Sequence, residues 1–132
     1  MTTTPRAEKL TLFMAEDEEG TAILLNSILA REGYTVVHAV DGQQAQTMID
    51  HMPPPTLVLL DIMLPCLSGL QLLAHIRQKA EWQHVPIIML TADSNERDIE
   101  KALAAGANDY MVKPFNPREL TARLRRFVKV AS

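Results

Sequence analysis

Cysteine is nearly absent from the 132-residue sequence, which contains only Cys66. A single cysteine excludes an internal disulfide and a metal site built from several thiolates, and it fits a reducing compartment. The formal net charge is only −3 at pH 7, so no strong positive field favours nucleic-acid binding. No apolar run approaches the roughly 20 residues that a membrane-crossing helix requires. We therefore expect a globular domain without direct nucleic-acid or membrane contacts.

The first nine residues lack the apolar core of a secretory signal peptide. We interpret residues 1–9 as a flexible, polar tail and residues 10–130 as one domain, since the length suits a single core. A chain with neither a signal peptide nor a membrane span is predicted to be cytoplasmic.

The most informative segment is the run LVLLD at residues 57–61. Four apolar residues without polar alternation are typical of a strand buried on both faces, as in a parallel sheet. Asp61 then stands where this strand leaves the sheet. In open α/β sheets ligands bind at that edge, so Asp61 is the first candidate functional residue.

Similar short apolar strands alternate with segments of helical periodicity along the chain. The predicted strands cover residues 10–15, 34–39, 57–61, 87–91 and 110–112, and glycine or proline ends most of the segments between them. Five such alternations predict an α/β domain with a parallel sheet and helices on both of its faces.

Polar groups follow four of these strands. The first strand ends in Glu16 and Asp17, the third in Asp61, the fourth in Thr91 and the fifth in Lys113. Neighbouring carboxylates repel one another unless a cation lies among them, and an all-oxygen donor set with room for water suits Mg²⁺. A lysine and a hydroxyl beside one carboxylate make chemical sense if Asp61 attacks a phosphoryl donor and becomes an aspartyl phosphate.

Four short motifs together resemble a known family. They are MAEDE (14–18), LLDIMLP (59–65), IMLTA (88–92) and DYMVKPF (109–115). Each is weak alone, but all four in this order resemble the receiver domain of bacterial two-component response regulators, the CheY-like domains. The resemblance extends over residues 10–128 and implies a single doubly wound (βα)5 flavodoxin-like domain, with a parallel five-stranded sheet of order 2-1-3-4-5.

The resemblance also implies roles for the metal site. Asp61 would be the phosphorylation site, and Mg²⁺ would be the cofactor. Asp17 and Asp61 would bind the metal directly, Glu16 would assist through water, and the backbone carbonyl of Met63 would be a further ligand. Glu16 departs slightly from the family, since many relatives have aspartate at that position.

Further implied roles concern the phosphoryl group and the response to it. Lys113 would pair with phosphoryl oxygens, and Thr91 would hydrogen-bond one of them. The Lys113–Pro114 peptide is expected to be cis, which turns the lysine toward the cleft. Thr91 and Tyr110 would form the switch that alters a surface made of residues 95–105, the fifth strand and the last helix. A half-buried structural role for Tyr110 is nearly as well supported.

The implied partners are a sensor histidine kinase or histidine phosphotransfer protein and a downstream effector protein or domain. The resemblance also allows a phosphorylation-dependent homodimer. It predicts no enzyme in the usual sense, only self-directed phosphotransfer and autodephosphorylation. The four histidines show no metal-site spacing, and surface or packing roles are predicted for them.

Two other classes of protein remain as alternatives. A haloacid-dehalogenase-like phosphatase also uses an aspartate nucleophile, but it normally has a second aspartate two residues later, where this chain has Met63. A receiver-like scaffold that binds partners without phosphorylation is the other alternative. The intact set of Asp17, Asp61, Thr91 and Lys113 argues against it.

Overall fold

The computed structural model describes residues 10–92 and 96–128. The predicted tail at 1–9 and the predicted end of the domain at 129–130 lie outside these residues, as does residue 95 of the predicted switch surface. The elements in chain order are β1 (Leu10–Ala15), α1 (Glu19–Arg31), β2 (Tyr34–Ala39), α2 (Gly42–His51), β3 (Leu57–Asp61), α3 (Gly69–Arg77), a 3₁₀ turn (Ala80–Trp82), β4 (Ile87–Thr91), α4 (Glu96–Ala104), β5 (Asp109–Val112) and α5 (Pro117–Phe127).

The five strands form one parallel sheet of order β2-β1-β3-β4-β5. The chain therefore winds outward in both directions from the pair β1 and β3, which confirms the predicted flavodoxin-like α/β fold. All four strand pairs are in parallel register, so the carboxyl ends of the strands meet at one edge. Within the described ranges, no helix is both long enough and apolar enough to cross a membrane.

The side chains of the central strands enter two separate cores. Leu12 and Met14 of β1 pack in one core, whereas Phe13 and Ala15 pack in the other, because successive side chains of a strand point to opposite faces. Leucines of α1 and α5 complete the first core, and residues of α2, α3 and α4 complete the second. We call these sides of the sheet the α1–α5 face and the α2–α4 face.

The loop after β3 is held against its surroundings at two glycines. Gly69 begins α3, and its amide donates to the Ile62 carbonyl at 2.9 Å. A methyl group on Gly69 would overlap the carbonyl oxygen of Asp61, and one on Gly42 would overlap the Leu67 backbone. Both positions therefore require glycine for close backbone approach, and together they fix the loop that follows Asp61.

We predict opposite effects for two glycine-to-alanine substitutions. Gly69→Ala is expected to lower the free energy of unfolding by about 1–3 kcal/mol, because the backbone at Asp61 has to shift. Gly20→Ala is the matched control, since the nearest atom to its added methyl is Glu18 Oε1 at 3.6 Å, and it is expected to raise stability by about 0.5 kcal/mol. Urea denaturation of both variants measures the two values. Equal effects would contradict the assigned close contact.

Candidate functional site

Lys113 lies at the centre of a cleft at the carboxyl edge of the sheet. Its Nζ donates to Glu16 Oε1 at 2.6 Å and to Asp61 Oδ2 at 2.7 Å. The Glu16 side chain is fully buried, that of Asp61 is 5% exposed, and that of Lys113 is 17% exposed. The lysine follows β5, is joined to Pro114 by the expected cis peptide bond, and donates its amide to the Thr91 carbonyl at 2.7 Å.

Burial and pairing act in opposite directions on these groups. Burial raises the pKa of the Glu16 carboxyl, and the bonds from Lys113 and the Glu18 amide only partly offset it. Burial by itself disfavours a charged lysine, but the bonds to Asp61 and Glu16 outweigh it and hold the pKa of Lys113 above its usual value. The lysine therefore stays charged and lies between two carboxylates.

The remaining oxygens of the two buried carboxylates also accept hydrogen bonds. Asp61 Oδ1 accepts from the Met63 amide at 3.0 Å, and Glu16 Oε2 accepts from the Glu18 amide at 3.1 Å. Each carboxylate oxygen thus has one protein donor, which fixes its orientation, and retains capacity for another partner. The Met63 amide points toward Asp61, while its side chain is 73% exposed.

The cleft offers the donor set that a small hard cation requires. Glu16, Asp17 and Asp61 each contribute a carboxylate oxygen, and these atoms lie within 4.8 Å of one another. Asp17 is exposed at the mouth of the cleft, so its side chain and solvent can share a metal ion. Three carboxylates against one ammonium leave the cluster negative when all are ionised. Such a set fits Mg²⁺, which binds through one or two carboxylates and retains water.

The two predicted switch residues lie on β4 and β5, and Thr91 follows Leu90, the register partner of Asp61, at the carboxyl edge of the sheet. Thr91, the last residue of β4, is 2% exposed. Met89, two residues earlier, pairs with Tyr110 of β5, so Thr91 and Met89 point to the same face. Met89 is buried in the core of the α2–α4 face, and Tyr110 packs against that core. Asp61 is two residues after Leu59, which packs in the core of the α1–α5 face, so strand alternation assigns Asp61 to that face.

One residue at the site was missed from the sequence. The ring of His38 in β2 lies 2.8 Å from the backbone carbonyl oxygen of Glu16 through Nε2. Surface or packing roles were predicted for all histidines because their spacing resembles no metal site. The sequence offered one signal. His38 lies near the end of the second predicted strand, at the sheet edge where the first strand ends in Glu16 and Asp17.

A lysine-bridged acidic cleft lies at the switch point of this doubly wound five-stranded sheet. The family model described as "Response regulator receiver domain" matches residues 12–125. The chain therefore belongs to the receiver domain family of two-component response regulators, as the four motifs predicted.

Individual relatives agree with this assignment. The chain is 41% identical over 118 residues to the phosphate regulon transcriptional regulatory protein PhoB of Rhizobium meliloti, a match that covers 89% of this chain and 52% of that protein. It is 40% identical to the alkaline phosphatase synthesis transcriptional regulatory protein PhoP of Bacillus subtilis, covering 89% of this chain and 48% of that protein. The chain thus spans about half the length of the curated relatives it matches.

Solved structures show the same fold. The receiver domain of the sensor histidine kinase PA1611 from Pseudomonas aeruginosa has a TM-score of 0.81 and 34% identity, covering 90% of this chain and 97% of that one; it contains magnesium coordinated in its active-site cleft. The chemotaxis response regulator CheY4 of Vibrio cholerae has a TM-score of 0.84 and 25% identity, covering 91% and 99% of the two chains. An acidic cleft of this kind and a magnesium-bearing neighbour together suggest Mg²⁺ binding.

We predict that Asp17→Asn separates metal binding from metal-free stability. The substitution removes an anionic oxygen from the cluster, so Mg²⁺ should raise the melting temperature less than in the unaltered protein. Without Mg²⁺ the variant should melt at a higher temperature, because repulsion among the carboxylates is reduced. Thermal melting with and without Mg²⁺ measures both effects.

Glu19→Gln is the matched control for this comparison. It removes one exposed acidic charge at the start of α1 but none of the three clustered oxygens, and should keep the full response to Mg²⁺. An undiminished response in Asp17→Asn would show that Asp17 is not a ligand.

Proposed function

We propose that this chain is a phospho-acceptor domain that receives a phosphoryl group on Asp61 with Mg²⁺ present. The observation that carries the proposal is the buried Asp61 carboxylate held by Lys113 Nζ at 2.7 Å beside the oxygens of Glu16 and Asp17. A nucleophile fixed in place next to a permanent positive charge is arranged to react with, and then retain, an anionic group.

The proposed reaction balances without any further reactant. One carboxylate oxygen of Asp61 attacks the phosphorus atom, and an oxygen–phosphorus bond forms as the bond to the donor breaks. With a phosphohistidine donor whose second ring nitrogen carries a proton, the electron pair of the broken phosphorus–nitrogen bond returns to the ring, which leaves as neutral imidazole. Lys113 then pairs with a phosphoryl oxygen. Asp17, Asp61 and the Met63 carbonyl would hold Mg²⁺, with Glu16 assisting through water, and the ion would supply positive charge that offsets the charge of the phosphoryl group.

Several observations favour a signalling role over a turnover enzyme. Position 63, two residues after the nucleophile, carries the exposed apolar Met63 and supplies no acid or base to a leaving group. The relatives are named as transcriptional regulatory proteins. We infer that the chain catalyses only its own phosphorylation and dephosphorylation.

The surface around the cleft fits a protein donor. Ile23 and Leu24 of α1 are 63% and 45% exposed, and Val40 and Met63, in the loops after β2 and β3, are 50% and 73% exposed. Large apolar side chains on three neighbouring elements are typical of a protein interaction site. We infer that a sensor histidine kinase or a histidine phosphotransfer protein contacts this surface, and that the domain acts in the cytoplasm.

We predict that acetyl phosphate labels the unaltered chain only when Mg²⁺ is present. Asp61→Asn should lose the label, because an amide oxygen is a poor nucleophile and forms no stable phosphoryl adduct. Asp50→Asn is the control, since its exposed carboxylate bonds His75 of α3 and is not one of the three clustered carboxylates, and it should be labelled normally. Intact-mass measurement gives the fraction labelled. Full labelling of Asp61→Asn would refute Asp61 as acceptor.

The output surface is proposed to be α4, β5 and α5. Phosphorylation adds roughly −1.5 to −2 charge and three acceptor oxygens at Asp61. The Thr91 hydroxyl turns toward one of these oxygens, and Tyr110, which shares the α2–α4 face with it, takes up the space beside β4. The surface then binds a downstream effector protein or domain, or a second copy of the chain. Direct contact with nucleic acid is not part of this proposal.

We predict that Thr91→Ala accepts phosphate yet loses most of the response. Lys113 and the metal ligands remain, so labelling should continue. In the unaltered chain beryllofluoride should shift the Tyr110 ring resonances and strengthen self-association about 5- to 150-fold.

Sedimentation and NMR measure both responses. Thr47→Ala, which loses a hydroxyl that donates to the Gln43 carbonyl of the same helix, should respond fully. A normal response in Thr91→Ala would show that the threonine–tyrosine relay is wrong.

A further inference from the structure

His38 and Ala39 of β2 hold the peptide backbone at Glu16 from two sides. The Glu16 amide donates to the Ala39 carbonyl at 3.1 Å, and the Glu16 carbonyl lies 2.8 Å from His38 Nε2. The first bond continues the backbone ladder, which any residue at position 39 can supply. The second requires a side chain of the right length and chemistry at position 38.

The chemistry of the second bond is unambiguous. A carbonyl oxygen only accepts hydrogen bonds, so Nε2 of His38 carries the hydrogen and donates it. The ring donates from Nε2 whether it is neutral or protonated. His38 and Asp17 also line the same groove beside α1.

The bonded carbonyl belongs to the same planar peptide group as the Asp17 amide. Because that group is rigid, holding the Glu16 oxygen also fixes the direction in which the chain enters Asp17. The Asp17 side chain makes no hydrogen bond or ion pair with any residue in the described ranges 10–92 and 96–128. Its place among the three clustered oxygens therefore depends on its backbone.

We propose that His38 is a positioning residue for the metal ligand Asp17. It holds the Glu16–Asp17 peptide so that the Asp17 carboxylate already faces the cleft before a cation arrives. This inference rests on the proposed function of the cleft. Partners that orient a metal ligand without touching the metal commonly change metal affinity strongly when they are removed.

Three substitutions test the donor and the ring separately. His38→Leu removes the donor, His38→Gln keeps an N–H that can reach the same carbonyl, and His38→Asn has an amide that is too short. His51→Leu is the matched control, because the His51 ring also contacts a backbone carbonyl, that of Thr47, at 2.7 Å, but on the exposed part of α2. Calorimetry gives the Mg²⁺ affinity, and NMR gives the Asp17 amide shift without metal.

We expect His38→Leu and His38→Asn to weaken Mg²⁺ binding about tenfold and to move the Asp17 amide resonance. His38→Gln should keep the affinity within about threefold, because it restores the donor. His51→Leu should leave both readouts unchanged. These differences are expected at a temperature well below the melting temperature of every variant, where a general loss of stability does not alter the affinity.

Two results would overturn the inference: unchanged Mg²⁺ affinity in His38→Leu and His38→Asn, or a loss in His38→Gln as large as theirs. The second would mean that the ring itself matters and not its hydrogen bond. If the unaltered chain binds no Mg²⁺, the proposed function fails together with the inference. If the unaltered chain binds Mg²⁺ and the leucine and asparagine variants bind it equally well, only the role of His38 is wrong.

Discussion

The ammonium group of Lys113, placed between Glu16 and Asp61, is the interaction on which the site depends. Lys113 is separated along the chain by 97 positions from Glu16 and by 52 from Asp61. The interaction therefore exists only when the ends of β1, β3 and β5 meet at one edge. Strand β4 separates β3 from β5 in the sheet, and the long lysine side chain reaches past it. A fully buried glutamate and a nearly buried aspartate are tolerated together because this cation lies between them.

Strand alternation assigns the carboxylates of the cleft and the two predicted switch residues to different faces of the sheet. Glu16, Asp61 and His38 follow the strand alternation of the α1–α5 face, where the carboxylates and their supports are held. Thr91 and Tyr110 belong to the α2–α4 face, beside the core that α3 and α4 cover. In the proposed function the acceptor Asp61 and the switch pair are separate groups, so the acceptor can be retained while the response is removed. The loop fixed by Gly42 and Gly69 joins the two faces at the end of β3.

Local sequence was sufficient for the strands and for the residues at their ends. The apolar run 57–60 followed by Asp61 marks a buried central strand, and all five residues of β3 are buried. The start of β5 was less well predicted: the predicted strand 110–112 begins one residue earlier, at Asp109, whose buried carboxylate is paired with Arg123 at 2.7 Å.

Side-chain contacts across the fold could not be predicted. Neither the hydrogen bond of His38 to Glu16 nor that of Arg77 to the Gly106 carbonyl, 29 residues away, has a local signature. Such contacts depend on how elements pack, and no spacing in the chain encodes them.

The central claim, that Asp61 becomes an aspartyl phosphate, is tested most directly by borohydride reduction after treatment with acetyl phosphate and Mg²⁺. Reduction of an acyl phosphate yields homoserine, and peptide mass spectrometry should find it at position 61; unmodified aspartate there, with homoserine or phosphate at another residue, would contradict the account.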